Sequence, residues 1–133
     1  MNRKAVLSQT EVQQILAAAR AEAQANQWAV TIVVVDDGGH PLALERLDGC
    51  APGSAYIATE KARTSALGRR ESKSYEDMVN GGRYAFLSAP VLTSLEGGVP
   101  IVFDGQVIGA VGVSGVKAEQ DAQVAKAGAQ CLK

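Results

Sequence analysis

Apolar residues recur at helical spacing near the start of the chain. The pattern follows Ser8-Gln9-Thr10-Glu11, in which a glutamate stands three residues after a serine. This spacing is typical of a capping box, because the serine hydroxyl accepts a bond from the first turn and the glutamate reaches back to the serine amide. The pattern predicts a helix that ends near Asn26 and buries one apolar face, formed by Val12, Ile15, Leu16, Ala19 and Ala23.

After this helix the sequence pattern changes from helical spacing to the two-residue alternation of a strand. Residues 29–35 are apolar on both alternating sets, which is typical of a strand covered on both faces. A turn over residues 36–40 leads to a more exposed strand over residues 42–47. The two segments therefore predict a β-hairpin.

A second hairpin is predicted towards the end of the chain. Two apolar runs, residues 99–103 and 107–114, meet across Asp104-Gly105, and an Asp-Gly pair is the strongest short-range hairpin signal. Residues 90–95 favour a further short strand ahead of it. Small residues on one face of the last strand must meet a helix or a ligand at close range: Ala110, Gly112 and Ser114.

Three further segments have helical patterns. Residues 55–67 carry a stripe of small residues that allows close approach to a sheet, residues 74–79 form a short helix, and residues 83–88 favour one more turn. A closing helix buries an alanine-rich face: Ala118, Ala122, Ala125, Ala129 and Leu132. The order α-β-β-α-β-β-β-α predicts an α+β domain, residues 1–133, in which helices cover both faces of an antiparallel sheet as a three-layer sandwich.

Composition narrows the class of protein. The 133 residues are 47% apolar and 20% charged, without an apolar run that could span a membrane. The first residues lack the apolar segment of a secretory signal, so we expect a cytoplasmic protein. A net charge of −1 provides no field that attracts nucleic acid. Cys50 and Cys131 match no metal or redox spacing and are expected to be reduced thiols.

His40 is the single histidine, and it lies in the glycine-rich turn of the first hairpin. Imidazole is the usual switchable base and a common haem ligand, so His40 is a candidate for proton transfer or for metal binding. The alternative is a merely solvated histidine. One histidine cannot supply a three-histidine zinc site.

Glu96 stands before Gly97 and Gly98 at the start of a predicted strand. Partial desolvation there would raise its pKa, which favours a catalytic acid or base. The alternative is a carboxylate that bonds to the amides of the glycine turn.

Two basic residues are candidates for binding an anion. Arg83 follows Asn80-Gly81-Gly82, where a guanidinium beside bare backbone can grip a carboxylate or a haem propionate. Its alternative role is a structural ion pair, with Glu96 or another acid. Lys61 lies in the small-residue helix, where its stem would follow the sheet, and a surface lysine is its alternative. We expect Glu96, Arg83 and His40 to border one cavity.

Several short stretches together resemble a known family. They are residues 33–40, 61–64, 80–83, 96–101, 109–115 and 120–121, and they span almost the whole chain. The chain resembles the GlcG/HbpS family of haem-binding-like proteins, which is also similar to the C-terminal domain of PduO-type proteins. The resemblance implies a profilin-like fold with a five-stranded antiparallel sheet and assemblies from dimers to octamers, and some members bind haem or participate in redox sensing.

For this chain the resemblance implies haem as a cofactor. His40 is then the axial nitrogen ligand, with tyrosine or methionine as substitutes, and the other binding residues are Arg83, Gly97, Gly98 and Lys61. Self-association also follows from the alanine-rich faces, which leave a monomer little bulk to bury.

Two functions from different classes remain open. The first is an oligomeric cytoplasmic protein that binds a small ligand, haem or a related flat cofactor. The second is a small oligomeric enzyme of isomerase or lyase type, in which Arg83 clamps a short carboxylic acid and Glu96 or His40 moves a proton. A third interpretation is an assembly without a ligand pocket.

Overall fold

The chain alternates helices and strands in the computed structural model, which describes residues 1–132. The elements are α1 (Gln9–Ala25), β1 (Thr31–Asp36), β2 (Pro41–Arg46), α2 (Gly53–Gly68), α3 (Lys73–Asn80), a 3-10 helix (Tyr84–Ser88), β3 (Gly98–Phe103), β4 (Gln106–Ser114) and α4 (Ala118–Ala129). The predicted capping box is present, since the Ser8 amide donates to the Glu11 carboxylate at 3.2 Å. The closing helix ends at Ala129, three residues earlier than predicted.

The strands form one antiparallel sheet in the order β2-β1-β4-β3. Both predicted hairpins are confirmed, and β1 pairs with β4 in the centre of the sheet. One face packs against α1 and α4, through Ile15 and Val124 on the helices and Ile32 and Val111 on the sheet. The other face packs against α2, so the predicted three-layer order is confirmed.

The close approach of α2 explains the small residues of β4. A Cβ atom placed on Gly112 would overlap the Ala58 carbonyl oxygen and lie 2.5 Å from the Ala62 amide nitrogen. Ala58 and Ala62 are buried against Val33, Val35 and Ala110 on this face. The small face of β4 therefore meets a helix, one of the two predicted alternatives.

The expected fifth strand is absent from residues 1–132, so the prediction of five strands is wrong for this part of the chain. Residues 90–95 form no ladder. Ser72 already hydrogen-bonds to the start of the β3 edge. The Ser72 amide donates to the Gly98 carbonyl oxygen at 3.0 Å, and the Ser72 Oγ atom accepts from the Gly98 amide at 2.8 Å. Val91 has a φ of 52°, which is incompatible with an extended strand.

Between residues 1 and 132, the helices all fall short of the length and apolarity that crossing a bilayer requires.

Candidate functional site

His40 lies in the turn between β1 and β2 and is held there by Asp36. The Asp36 Oδ1 atom accepts bonds from the Gly38 and His40 amides, both at 2.9 Å, and lies 3.0 Å from His40 Nδ1. Burial opposes ionisation of Asp36, but these hydrogen bonds outweigh it and lower the pKa of its carboxyl. An ionised carboxylate at Nδ1 fixes the proton there and leaves Nε2 as the nitrogen with a free lone pair.

The Asp36–His40 pair therefore has the arrangement of a metal-binding histidine with its supporting carboxylate. The His40 side chain is 78% exposed, so Nε2 is accessible from solvent. Asp36 was missed as a functional residue, because an aspartate at the end of a strand is also an ordinary turn former. The spacing of four residues between Asp36 and His40 does not by itself show that the two side chains meet, because the contact depends on how the turn folds.

Basic side chains from α2 border the His40 turn. Gly39 has a φ of +79°, and a Cβ there would lie 2.8 Å from the Arg63 Cγ atom. Arg69, which follows α2, donates from Nη1 to the Asp37 carbonyl oxygen at 2.5 Å. Lys4 reaches the Asp37 carboxylate at 2.9 Å. Three cationic side chains thus lie along the turn, and two of them are paired with acids, Lys4 with Asp37 and Arg63 with Glu60.

Glu96 lies at the opposite end of the sheet. Asp36 is paired with Gly109 on β4, whereas the Gly97 carbonyl oxygen accepts from the Val113 amide. These positions are separated by roughly 13 Å along β4, at about 3.3 Å per residue, and lie on opposite sides of that strand. The expectation that Glu96, Arg83 and His40 border one cavity is therefore wrong within a single chain.

The Glu96 carboxyl has the expected electrostatic environment. Partial burial raises its pKa, the nearby Glu76 raises it further, and Lys73 acts in the opposite direction. The alternative role as a partner of the glycine amides is not found, since the Gly98 amide donates to Ser72 instead. Glu96 therefore stays a predicted acid or base.

Gly97 and Gly98 are buried, and their neighbours explain why side chains are absent. Gly97 has a φ of +134°, and a Cβ there would lie 2.8 Å from the Lys61 Nζ atom. A Cβ on Gly98 would overlap the Lys61 carbonyl oxygen. The glycine pair thus leaves room for Lys61 and its helix.

Lys61 is buried, so the alternative of a surface lysine is wrong. Its Nζ atom donates to the Val113 carbonyl oxygen and to Asp121 Oδ2, both at 3.0 Å. The two side chains of this ion pair are 5% and 3% exposed. Burial raises the pKa of Asp121 and the Lys61 ammonium opposes that effect. The pair joins α2 to α4, one helix from each side of the sheet.

Arg83 is exposed on the segment that connects α3 to β3. The predicted alternative, an ion pair with Glu96 or another acid, does not form among residues 1–132. The residues that follow present exposed apolar side chains: Tyr84, Leu87, Val91 and Leu95. Phe86 anchors the segment by stacking on Tyr75, with ring centroids 4.9 Å apart.

A cleft of about 740 Å³ lies between the N-terminal segment, α1 and the C-terminal residues. Its lining includes Leu7, Phe103, Ile108 and Cys131 but none of the predicted site residues. Burial raises the pKa of the Cys131 thiol, which disfavours the thiolate that would bind a metal. His40 is therefore the better candidate for an iron ligand.

These features define a class of small α+β domains in which helical layers cover both faces of an antiparallel sheet. The chain belongs to the family described as "Haem degrading protein HbpS-like", whose model matches residues 7–130. The resemblance inferred from the sequence is thereby confirmed.

Relatives support this assignment. The chain is 66% identical to Protein GlcG of Escherichia coli strain K12 over 114 residues, which cover 86% of this chain and 85% of that protein. It is 31% identical to the crystal structure of Klebsiella pneumoniae protein ORFY, with a TM-score of 0.88 over 98% of this chain and 95% of the other. It is 27% identical to a crystal structure titled as a PduOC:heme complex, with a TM-score of 0.85 and 96% of each chain covered.

Proposed function

We propose that this protein binds haem, with His40 as the axial ligand of the iron, in a cytoplasmic assembly of several copies. The observation that carries the proposal is the Asp36–His40 pair, in which Nδ1 lies 3.0 Å from a carboxylate and the ring is 78% exposed. Imidazole with one nitrogen tied to a carboxylate is a strong ligand, because the carboxylate fixes the tautomer and orients the ring.

The family and one solved relative support the same ligand. The family description names haem degradation, and the PduOC structure contains haem. Arg83 is exposed and free of an acidic partner among residues 1–132, so it can pair with a haem propionate. In this proposal Gly97, Gly98 and Lys61 support the loop that carries Glu96.

Titration with hemin tests the proposal. We expect the Soret band of the wild type to saturate at one haem per His40 site. His40→Ala should lose this band. Asp36→Asn should weaken binding by about 10- to 100-fold, the usual effect of removing a supporting carboxylate. Cys131→Ser, the control for the thiol in the cleft, should bind as the wild type does.

An unsaturable spectrum shared by the wild type and His40→Ala would overturn the proposal. Circular dichroism of each variant checks that it is folded. Loss of binding in Cys131→Ser alone would place the haem in the cleft instead.

The raised pKa of Glu96 supports a second candidate function. A carboxyl with a raised pKa is suited to proton transfer near neutral pH, as required of an enzyme that acts on a short carboxylic acid. The separation of Glu96 from His40 leaves Glu96 as the proton-transfer group of that enzyme, with Arg83 as the anion clamp. This candidate remains a prediction.

A further inference from the structure

A second cavity lies where the C-terminal end of α1 meets the end of β2. Its volume is about 500 Å³, and small-molecule sites commonly occupy roughly 300–1,000 Å³. Arg46, which lines the cavity, is the last residue of β2, whereas His40 precedes the first residue of that strand. At about 3.3 Å per residue the two positions lie roughly 20 Å apart. The cavity is therefore separate from the proposed haem site.

Part of the cavity wall is apolar and firmly held. It is formed by Trp28, Ala29 and Leu47. Trp28 and Leu47 are half-buried and pack against the core between the sheet and helices α1 and α4. Their amides donate to the carbonyl oxygens of Ala23 and Val30, both at 2.9 Å. The wall thus offers a fixed apolar surface on which the side chain of a ligand can be desolvated.

Three charged side chains line the same cavity, and two of them have no charged partner. Glu45 is neutralised by Arg20, whose Nη2 atom donates to the Glu45 carboxylate at 2.8 Å. Arg46 and Asp48 are exposed, and neither forms an ion pair with the other or with any further residue between 1 and 132. A free cation and a free anion in one cavity are complementary to a ligand that carries both charges.

We propose that this cavity binds a free α-amino acid with a large apolar side chain. Arg46 donates to the carboxylate of the ligand, Asp48 accepts from its ammonium group, and its side chain packs against Trp28 and Leu47. An α-amino acid carries both charges on one carbon atom, so it bridges an arginine and an aspartate that do not reach each other. A dicarboxylate would place a negative charge beside Asp48, and a simple amine would leave Arg46 unpaired. The inference is independent of haem binding.

The fluorescence of Trp28 tests the proposal, because Trp28 is the single tryptophan of the chain and lines the cavity. The probes are L-phenylalanine and L-leucine, together with hydrocinnamate and phenethylamine, which each keep one of the two charged groups. Both amino acids should give a saturable change. Either analogue should bind about tenfold more weakly or worse, because it leaves one charged side chain of the site without a partner.

Two variants separate the roles of the two charges. Arg46→Met should weaken the binding of L-phenylalanine by about 10- to 100-fold, the usual effect of losing a hydrogen bond to a charged group, and should bind phenethylamine as weakly as the wild type does. Asp48→Asn should also weaken the binding of L-phenylalanine and leave that of hydrocinnamate unchanged. Arg3→Met and Asp104→Asn alter exposed charges elsewhere and are the matched controls, which should bind as the wild type does.

Failure of both amino acids to change the fluorescence and to release heat in calorimetry at millimolar concentration would overturn the proposal. Equal affinity of the wild type for L-phenylalanine and hydrocinnamate would do so too, since the ammonium group would then play no part. A loss in Arg3→Met as large as that in Arg46→Met would have the same consequence. Circular dichroism verifies that each variant is folded.

Discussion

At the residue scale, Lys61 shows how one buried side chain determines the shape of a loop. Its stem passes beneath Gly97, and its ammonium lies between Val113 and Asp121. Burying two charges is expensive, and their attraction repays the cost only with good geometry. The sequence suggested a lysine along the sheet, but its partner is 60 residues further along the chain. No local pattern connects the two.

Replacement of Lys61 by methionine should strongly destabilise the protein. The variant leaves the Asp121 carboxylate buried without its cation, which costs about 3–5 kcal/mol of the free energy of unfolding. Urea denaturation followed by circular dichroism measures the change. The double variant Lys61→Met with Asp121→Leu should recover most of the loss, because both charges are then removed.

Lys126→Met is the matched control. Lys126 lies 3.6 Å from Glu71, and the two side chains are 47% and 40% exposed. An exposed pair of this kind contributes about 1 kcal/mol or less. Equal losses in Lys61→Met and Lys126→Met would contradict a special role for the buried pair.

At the scale of elements, the packing of α2 on β4 depends on small residues from both. The sequence showed both the stripe of small residues along residues 55–67 and the small face of β4. What the sequence left open was whether that face meets a helix or a ligand. The helix occupies it, with Ala58 and Ala62 in contact range of Gly112. The helix therefore leaves no room for a ligand over Gly112.

Gly112→Ala should destabilise the protein by about 2–3 kcal/mol, because one methyl group forces the helix backbone away from the sheet. Gly53→Ala is the control, since nothing lies within 4 Å of a Cβ at that position. Its effect should stay within about 0.5 kcal/mol, as for other changes that meet no neighbour. Chemical denaturation of both variants gives the comparison, and equal stabilities would contradict the close packing of α2.

The wrong prediction of a strand over residues 90–95 is also explained at the scale of elements. Residues 90–95 contain enough apolar residues for a strand, and a pattern of that length cannot show whether a partner edge is available. Ser72 satisfies that edge of β3 at Gly98, and the segment instead exposes Val91 and Leu95. At Gly98 the edge is therefore already hydrogen-bonded and offers no partner to a further strand.

At the scale of the whole molecule, the sheet separates the predicted site residues. His40 lies at the end of β1, and Glu96 precedes β3 at the other end. The apolar segment between Arg83 and Glu96 is exposed in one chain and should be buried in an assembly.

Leu87→Glu should therefore dissociate the proposed assembly, because it places a charge within that apolar surface. Light scattering coupled to size exclusion should give a multiple of 13.8 kDa for the wild type and a lower mass for the variant. Ala21→Glu, on the exposed side of α1, is the control and should keep the wild-type mass. An unchanged mass in Leu87→Glu would show that the segment is not an interface.

The sequence by itself determined the helices, both hairpins and the three-layer order, because the hydrophobic period and the turn residues act over a few neighbouring positions. The family followed from short stretches that resemble it. Only the tertiary structure decided the pairing of Lys61 with Asp121, the support of His40 by Asp36 and the separation of His40 from Glu96. The first and the third depend on strand order and on contacts between distant parts of the chain, whereas the second depends on how one turn folds. The free energy of such contacts arises from three-dimensional burial, which leaves no periodic trace in the sequence.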